Sequence, residues 1–364
     1  VDFDILPWTH AAGWDSLPYL LIFLLPLRRG ISRSEEDFAP IREQYPPLGR
    51  RSGCMTSRRS FLSAGLAAAA SRGLAQTEAA AAEPIIDIHQ HMNYHRRADE
   101  HLLAHQKAMG ITTTIILPAG TYLDRPSTHQ GKSNGLAAQC ATTEAAHDFA
   151  KSHADAYLWA ANEVTDLDTA PAVIEKWLKQ GACMIGEQKF MVECDSPESQ
   201  KLYALAADYK VPILLHFQFQ TYNLGYERFH TMLEKFPKTN FIGHAQAFWG
   251  NIDKNHDQKV NYPKGTITPG GITDRYLADY PNMFADMSAG SGLLALTRDE
   301  AHTTQFFDRH QDKILYGSDC ADHFGRGPGC QGAQTLAAIR KLAPNKTVER
   351  KMLCDNSRKL FRLA

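Results

Sequence analysis

From residue 85 to the C-terminus, short β-rich apolar runs alternate with amphipathic stretches, eight times over. The runs are 85–89, 112–117, 157–162, 183–190, 212–216, 240–244, 283–287 and 314–317. Between them the apolar spacing is helical, over 100–109, 136–152, 172–179, 196–210, 226–235, 274–280, 300–310 and 332–342, and a last helical pattern covers 348–363. Each parallel strand pair needs a crossover, and a helix is the usual one, so the alternation predicts an α/β fold with a parallel sheet. Eight units predict a single (β/α)8 TIM barrel over 84–364. An open doubly wound sheet is the alternative, but no G-x-G-x-x-G follows the first run. Ser196-Pro197 reads as a helix start and Gly110 as a helix stop. Two long connections, 118–135 and 246–271, are expected to carry function.

Before residue 84 the pattern is absent. Residues 1–54 show no sustained period and begin on Val1. We read them as an upstream extension, spurious or disordered, ahead of a start at Met55. From Met55 the chain resembles a twin-arginine export signal: Arg58-Arg59, then Phe61-Leu62, an Ala-rich core and the small-residue site Gly73-Leu74-Ala75. Residues 55–83 are therefore expected to be signal and linker, with 78–82 an Ala-rich tether. The twin-arginine translocase would carry the folded protein to a periplasmic or secreted location. Cleavage near residue 75 leaves 289 residues and a formal net charge of −3, against −1 for the whole chain. Neither balance supports nucleic-acid binding, which needs a concentrated basic surface. The longest apolar run, Tyr19 to Leu25, is too short to span a membrane. Six cysteines remain, none in a C-x-x-C pair, so a zinc knuckle is not expected and no disulfide pairing can be assigned.

The chemistry sits at the strand ends. The first run closes Asp87-Ile88-His89-Gln90-His91, and alternate residues of a strand share a face, so His89 and His91 point together. His216 closes the fifth run, His244 the sixth, and Asp319 follows the eighth. In a barrel these positions converge on the C-terminal rim. That many buried polar groups are hard to satisfy mutually without an ion. In the fourth run, Glu187 and Lys189 are two apart and share a face. They read either as bridging or substrate-binding groups or as an internal ion pair. Trp249, Tyr262 and Asn251 after the sixth run, His323 and Arg326 after the eighth, Asn134 and His95 are weaker candidates. Of these, Trp249, Arg326 and Asn134 are the substrate-binding candidates.

The set resembles the amidohydrolase superfamily, in the amidohydrolase 2 branch that contains aminocarboxymuconate-semialdehyde decarboxylase. The match spans about 84–364. It rests on Asp87-x-His89-x-His91, the strand-five and strand-six histidines, Gly317-Ser318-Asp319 and the C-terminal stretch Asp355-Asn356-Ser357-Arg358-Lys359-Leu360-Phe361. The resemblance implies a divalent metal, by default one zinc ion, held by His89, His91, His216 and Asp319. It implies catalytic roles for His244 and Asp319. A second ion bridged by Glu187 or Lys189 stays open, as does a homo-oligomeric state.

The implied activity is a metal-dependent hydrolase, with hydroxide supplied at the metal attacking a carbonyl, lactone or amide of a small molecule. The alternative is a metal-dependent non-oxidative decarboxylase (a lyase) of a small unsaturated or aromatic acid. A non-enzymatic metal-dependent binding protein ranks last. The leader has its own test: N-terminal sequencing of the exported protein is expected to find a start near residue 76. A mature chain starting before Met55 would defeat both the leader and the start-site readings.

Overall fold

The computed structural model describes residues 83–128 and 140–363. The upstream extension, nearly all of the predicted leader, Asn134 and the rest of 129–139 lie outside the described residues. The eight expected strands are present: β1 (Ile86–Gln90), β2 (Thr113–Ile116), β3 (Tyr157–Trp159), β4 (Ile185–Gln188), β5 (Ile213–His216), β6 (Phe241–His244), β7 (Met283–Asp286) and β8 (Ile314–Leu315). β1 to β3 pair in parallel, as do β4 to β8. Backbone bonds join the two groups. Past the end of β3, Ala161 N donates to Met184 O (2.8 Å) and the Ala161 carbonyl accepts from Gly186 N (2.9 Å). At the other seam Ile88 N donates to Tyr316 O (3.1 Å) and Asp319 N to His89 O (2.8 Å). The sheet thus closes into the barrel that the alternation predicts.

Twelve α-helices accompany the strands among the described residues: α1 (Asp99–Met109), α2 (Thr143–Ser152), α3 (Ala170–Lys179), α4 (Pro197–Tyr209), α5 (His230–Lys235), α6 (Ala245–Gly250), α7 (Ile272–Asp279), α8 (Ala289–Thr297), α9 (Glu300–His310), α10 (Gln331–Leu342), α11 (Lys346–Arg350) and α12 (Asn356–Phe361). Within the stretch read as 136–152, the described helix starts only at Thr143. The Thr142 hydroxyl accepts from Ala145 N–H and caps it. The stretch 226–235 divides into a 3-10 turn and α5, and 348–363 into α11, one π-helical turn and α12. Helices α6 and α8 are not expected from the sequence. The first starts straight after β6 and the second beyond the two residues that follow β7, on Ala245 (φ 78°) and Ala289 (φ 61°). Alanine rarely occupies the left-handed region, so neither first residue signals its boundary as a glycine or asparagine would. None of the described helices is long and apolar enough to cross a membrane.

Ile88, Ile115, Leu214, Ile242 and Leu315 come from five different strands and pack into one buried cluster, which Leu360 and Phe361 of α12 join. A larger cluster, including Tyr203, Phe229, Phe241 and Phe307, packs the helices on the sheet. Burying each such side chain stabilises by about 1.5–3 kcal/mol. Both β1 and β4 carry an irregular register, with one extra residue against the neighbouring strand, between Asp87 and Gln90 and between Ile185 and Gln188. These irregularities re-aim side chains at the rim. Asp87 reaches towards α1 instead of joining His89 and His91. Its Oδ1 accepts from His89 N (3.1 Å) and Ser318 N (2.9 Å), and its Oδ2 from Ser318 Oγ (2.5 Å) and Gln106 Nε2 (2.9 Å). One fully buried carboxylate therefore ties β1 to the segment after β8 and to α1.

Asp87→Ala leaves buried donors unpaired, each costing about 1–3 kcal/mol. We expect a stability loss of about 3 kcal/mol or more in urea unfolding. A change within about 0.5 kcal/mol, typical of a surface position, would show that the seam does not depend on Asp87.

Candidate metal centre

At the C-terminal rim the strands deliver His89, His91, Glu187, His216 and His244, and the segment after β8 delivers Asp319. All are buried, Asp319 being the most open at 9%. Asp319 lies in the left-handed backbone region (φ 41°), a conformation that costs energy in a non-glycine residue and is often kept where a site needs it.

The two strand-one imidazoles are oriented from behind. His89 Nδ1 is 2.7 Å from Asp286 Oδ2, and His91 Nδ1 is 2.7 Å from the Leu117 carbonyl. Both partners accept, so both Nδ1 atoms carry a proton, and with a cation between them each ring would be neutral and turn its Nε2 lone pair inward. The two Nε2 atoms are 3.1 Å apart. Glu187 Oε2 lies 3.5 Å from one and 3.6 Å from the other, and Asp319 Oδ1 3.8 Å and 3.3 Å. Both carboxylate oxygens are buried without a hydrogen-bond partner. Four electron-rich atoms thus surround one small space, and a divalent cation would satisfy all four. The residues present fit such an ion.

The protein's own charges show the same demand. Burial opposes a proton on His91, yet the neighbouring Cys140 and Asp319 pull its pKa up to about 10. Burial likewise opposes charging His89, but Asp319 and Asp286 raise it well above the ordinary histidine value. For Glu187, burial is outweighed by the Lys189 charge, the His216 hydrogen bond and the nearby His89 ring, which hold its carboxyl well below the usual range. His216 is pushed down to about 4, by burial and then by Lys189.

His216 sits one step behind the central space. Its Nδ1 is 2.5 Å from Glu187 Oε1 and its Nε2 is 3.2 Å from Gln218 Oε1. His244 Nε2 lies 3.8 Å from Glu187 Oε1 and 3.7 Å from Asp319 Oδ2. Lys189 is half-buried, with Nζ 5.8 Å from the Tyr222 ring centre, so Glu187 joins the imidazoles while Lys189 stands beside an aromatic wall. Trp249 lies in α6, not in a loop, and its indole donates to Asp286 O (2.9 Å) from a buried position. Asn251 is buried and bonded to Ala247 O and Gln258. Tyr262 is half exposed and its hydroxyl accepts from Gln246 Nε2. Arg326 and His95 are exposed, and His323 stacks on His101.

Several rim residues are not foreseen from the sequence. Asp286 ends β7, and its Oδ2 meets His89 Nδ1, His244 Nδ1 (3.2 Å) and Ser288 Oγ (2.8 Å). Ser288 Oγ lies 3.1 Å from His244 Nδ1. The signal was present: an acidic residue closing an apolar run, like the strand-end histidines. Buried Arg97 gives Nη1 to Cys320 O and Asp322 O, and Nη2 to Gln90 Oε1 and His91 O, so it straps the two sides of the seam together. Gly317 is required for close approach. A Cβ there would stand 2.5 Å from Asp286 Oδ1 and 2.9 Å from His89 Cβ.

A model of the amidohydrolase family matches residues 86–363. The chain belongs to the amidohydrolase 2 family. No curated protein matches it significantly. Among solved structures, an uncharacterised TIM-barrel protein from Bordetella bronchiseptica aligns with a TM-score of 0.53 at 14% identity, over 77% of this chain and 99% of that one. An amidohydrolase II aligns with a TM-score of 0.53 at 15% identity, over 76% and 99%. At such identity these likenesses bear on the fold.

Groups that orient a ligand histidine typically carry 10–100-fold in metal affinity. Asp286→Asn is expected to weaken divalent-metal binding by roughly that factor, read by competition with a chelator. Unchanged affinity would mean that Asp286 does not orient a ligand.

Proposed function

We propose that this family member is a metal-dependent hydrolase acting on a carbonyl, lactone or amide carbon of a small molecule. The observation that supports it is the pair of unpartnered buried oxygens, Glu187 Oε2 and Asp319 Oδ1, facing the His89 and His91 Nε2 atoms. His89, His91, Glu187 and Asp319 would hold one divalent ion, with His216 bracing Glu187. Zinc suits this nitrogen and oxygen set. When bound, the ion supplies Lewis acidity towards a substrate oxygen and makes water a nucleophile near neutral pH.

The chain's own residues move the protons. Asp319 Oδ2 and His244 Nε2, 3.7 Å apart, border the same space. Asp286 and Ser288 hold His244 Nδ1, which fixes the ring and leaves Nε2 to take and return a proton. Asp319 accepts the proton of the attacking water, and His244 passes one to the leaving group. The left-handed turn at Asp319 and the strap from Arg97 keep the carboxylate in place between these steps.

A second reading, a non-oxidative decarboxylase of a small acid, is favoured by Lys189. Its charge beside the site, against the Tyr222 ring, is a counter-charge for a substrate carboxylate. We also propose, from the twin-arginine pattern, that the folded metal-loaded enzyme works outside the cytoplasm.

A zinc-loaded screen over lactones, amides, esters and carboxylic acids separates the two reactions. Hydrolysis is expected to release acid from the first three, and CO2 release alone would replace it with the decarboxylase. On the active substrate, His244→Asn should lower kcat by about 100-fold or more with metal content unchanged. A kcat within a few-fold of wild type would remove His244 from the proton path.

A further inference from the structure

A second group of metal-ligating side chains lies outside the rim site. His105 of α1, Cys320 in the segment after β8 and Cys330 at the start of α10 come together, each almost completely buried. Cys320 Sγ and Cys330 Sγ are 3.8 Å apart, and Cys330 Sγ is 3.3 Å from His105 Nε2. A tetrahedron with zinc–sulfur bonds of about 2.3 Å and a zinc–nitrogen bond of about 2.0 Å has edges of roughly 3.5–3.8 Å. Two of the three edges therefore already lie near those of such a tetrahedron, and all three donors lie within 4.8 Å of one another. Met109 Sδ, 3.9 Å from Cys330 Sγ, and Asp322 Oδ2, 4.0 Å from His105 Nε2, border the cluster with a thioether and a carboxylate.

The surroundings prepare these atoms as ligands. Gln106 gives its amide nitrogen to Asp87 Oδ2 (2.9 Å) and to Thr114 Oγ1 (2.8 Å). Asp87 collects only donors, so the Gln106 oxygen is the end left facing His105 Nδ1, 3.0 Å away. That oxygen accepts, so the His105 proton sits on Nδ1 and the Nε2 lone pair faces the sulfurs. This is the orientation that a partner behind a metal-bound histidine imposes. Cys330 Sγ accepts from Ala333 N–H (3.3 Å) at the N-terminus of the twelve-residue α10, which fixes the sulfur beside His105 Nε2.

We propose that His105, Cys320 and Cys330 form a second metal site, which takes zinc through two thiolates and one imidazole. Binding replaces the two thiol protons with two sulfur–metal bonds and releases both protons, with no change of oxidation state. The ion would join α1, α10 and the segment after β8. Cys320 directly follows Asp319, and its carbonyl already holds Arg97. The site therefore fixes the backbone that presents Asp319 to the rim. It does not depend on which reaction the rim site performs.

The test uses the whole protein, stripped of metal and reloaded with Co2+ or Zn2+. Cobalt should give a near-ultraviolet thiolate charge-transfer band, which a histidine and carboxylate site lacks. The band should vanish in Cys330→Ala and persist in Cys140→Ala, whose thiol neighbours His91. Zinc content should fall by one equivalent per chain in Cys330→Ala. Should that variant fail to fold, a mercurial titration of wild type serves instead: capping the thiols should release one equivalent of zinc. The absence of the band, its loss in Cys140→Ala only, thiol capping that releases no zinc, or a Cys320–Cys330 disulfide in non-reducing peptide mapping would each overturn the proposal.

Discussion

The rest of the structure depends on the seam between β1 and β8. A parallel sheet of eight strands loses its exposed edges only when the first and last strands meet. Here few backbone bonds make that closure, because β8 is short. The buried Asp87 carboxylate makes up the difference. It draws donors from β1, from Ser318 and from α1, and so converts a short contact into a joint fixed from three directions. The rim follows from that joint. His89 and His91 lie on one side of it and Asp319 on the other, and Arg97 crosses it again between His91 O and Cys320 O. The same carboxylate, acting through Gln106, sets the orientation of His105 on the far side of the seam.

The rim itself is a problem in placing negative charge away from water. Glu187, Asp286 and Asp319 lie close together, and burial alone would protonate them. Each is kept ionised by different neighbours. Asp286 is shared between His89 and His244, which hold its carboxyl below the ordinary range against burial. Glu187 leans on Lys189 and His216. Asp319 faces His89 and His91. What remains unsatisfied is one oxygen of Glu187 and one of Asp319, both aimed at the paired imidazole nitrogens. The imbalance is local and of one sign, which is the condition under which a bound cation stabilises a fold as well as a reaction.

Much of this was legible in one sequence. The eight strands, their parallel order and the convergence of His89, His91, His216, His244 and Asp319 follow from periodicity and from polar residues closing apolar runs. The rest was hidden for identifiable reasons. Helices α6 and α8 begin on alanines in the left-handed region, which carry no turn signal. Glu187 and Lys189 could not be ranked, because an irregular strand decides which of them faces the imidazoles. Asp87 reads as part of the histidine motif by alternation, yet the irregular register of β1 turns it towards α1. His105, Cys320 and Cys330 lack any metal-binding spacing along the chain.

The sequence alone determined the fold class and the type of site, because strand and helix periods and strand-end positions are local properties. Only the tertiary structure decided which carboxylate meets which imidazole, and that distant thiols and a histidine share one space. Those outcomes depend on register shifts and on closure of the β1–β8 seam, which bring together residues more than two hundred positions apart. No local pattern encodes such distances.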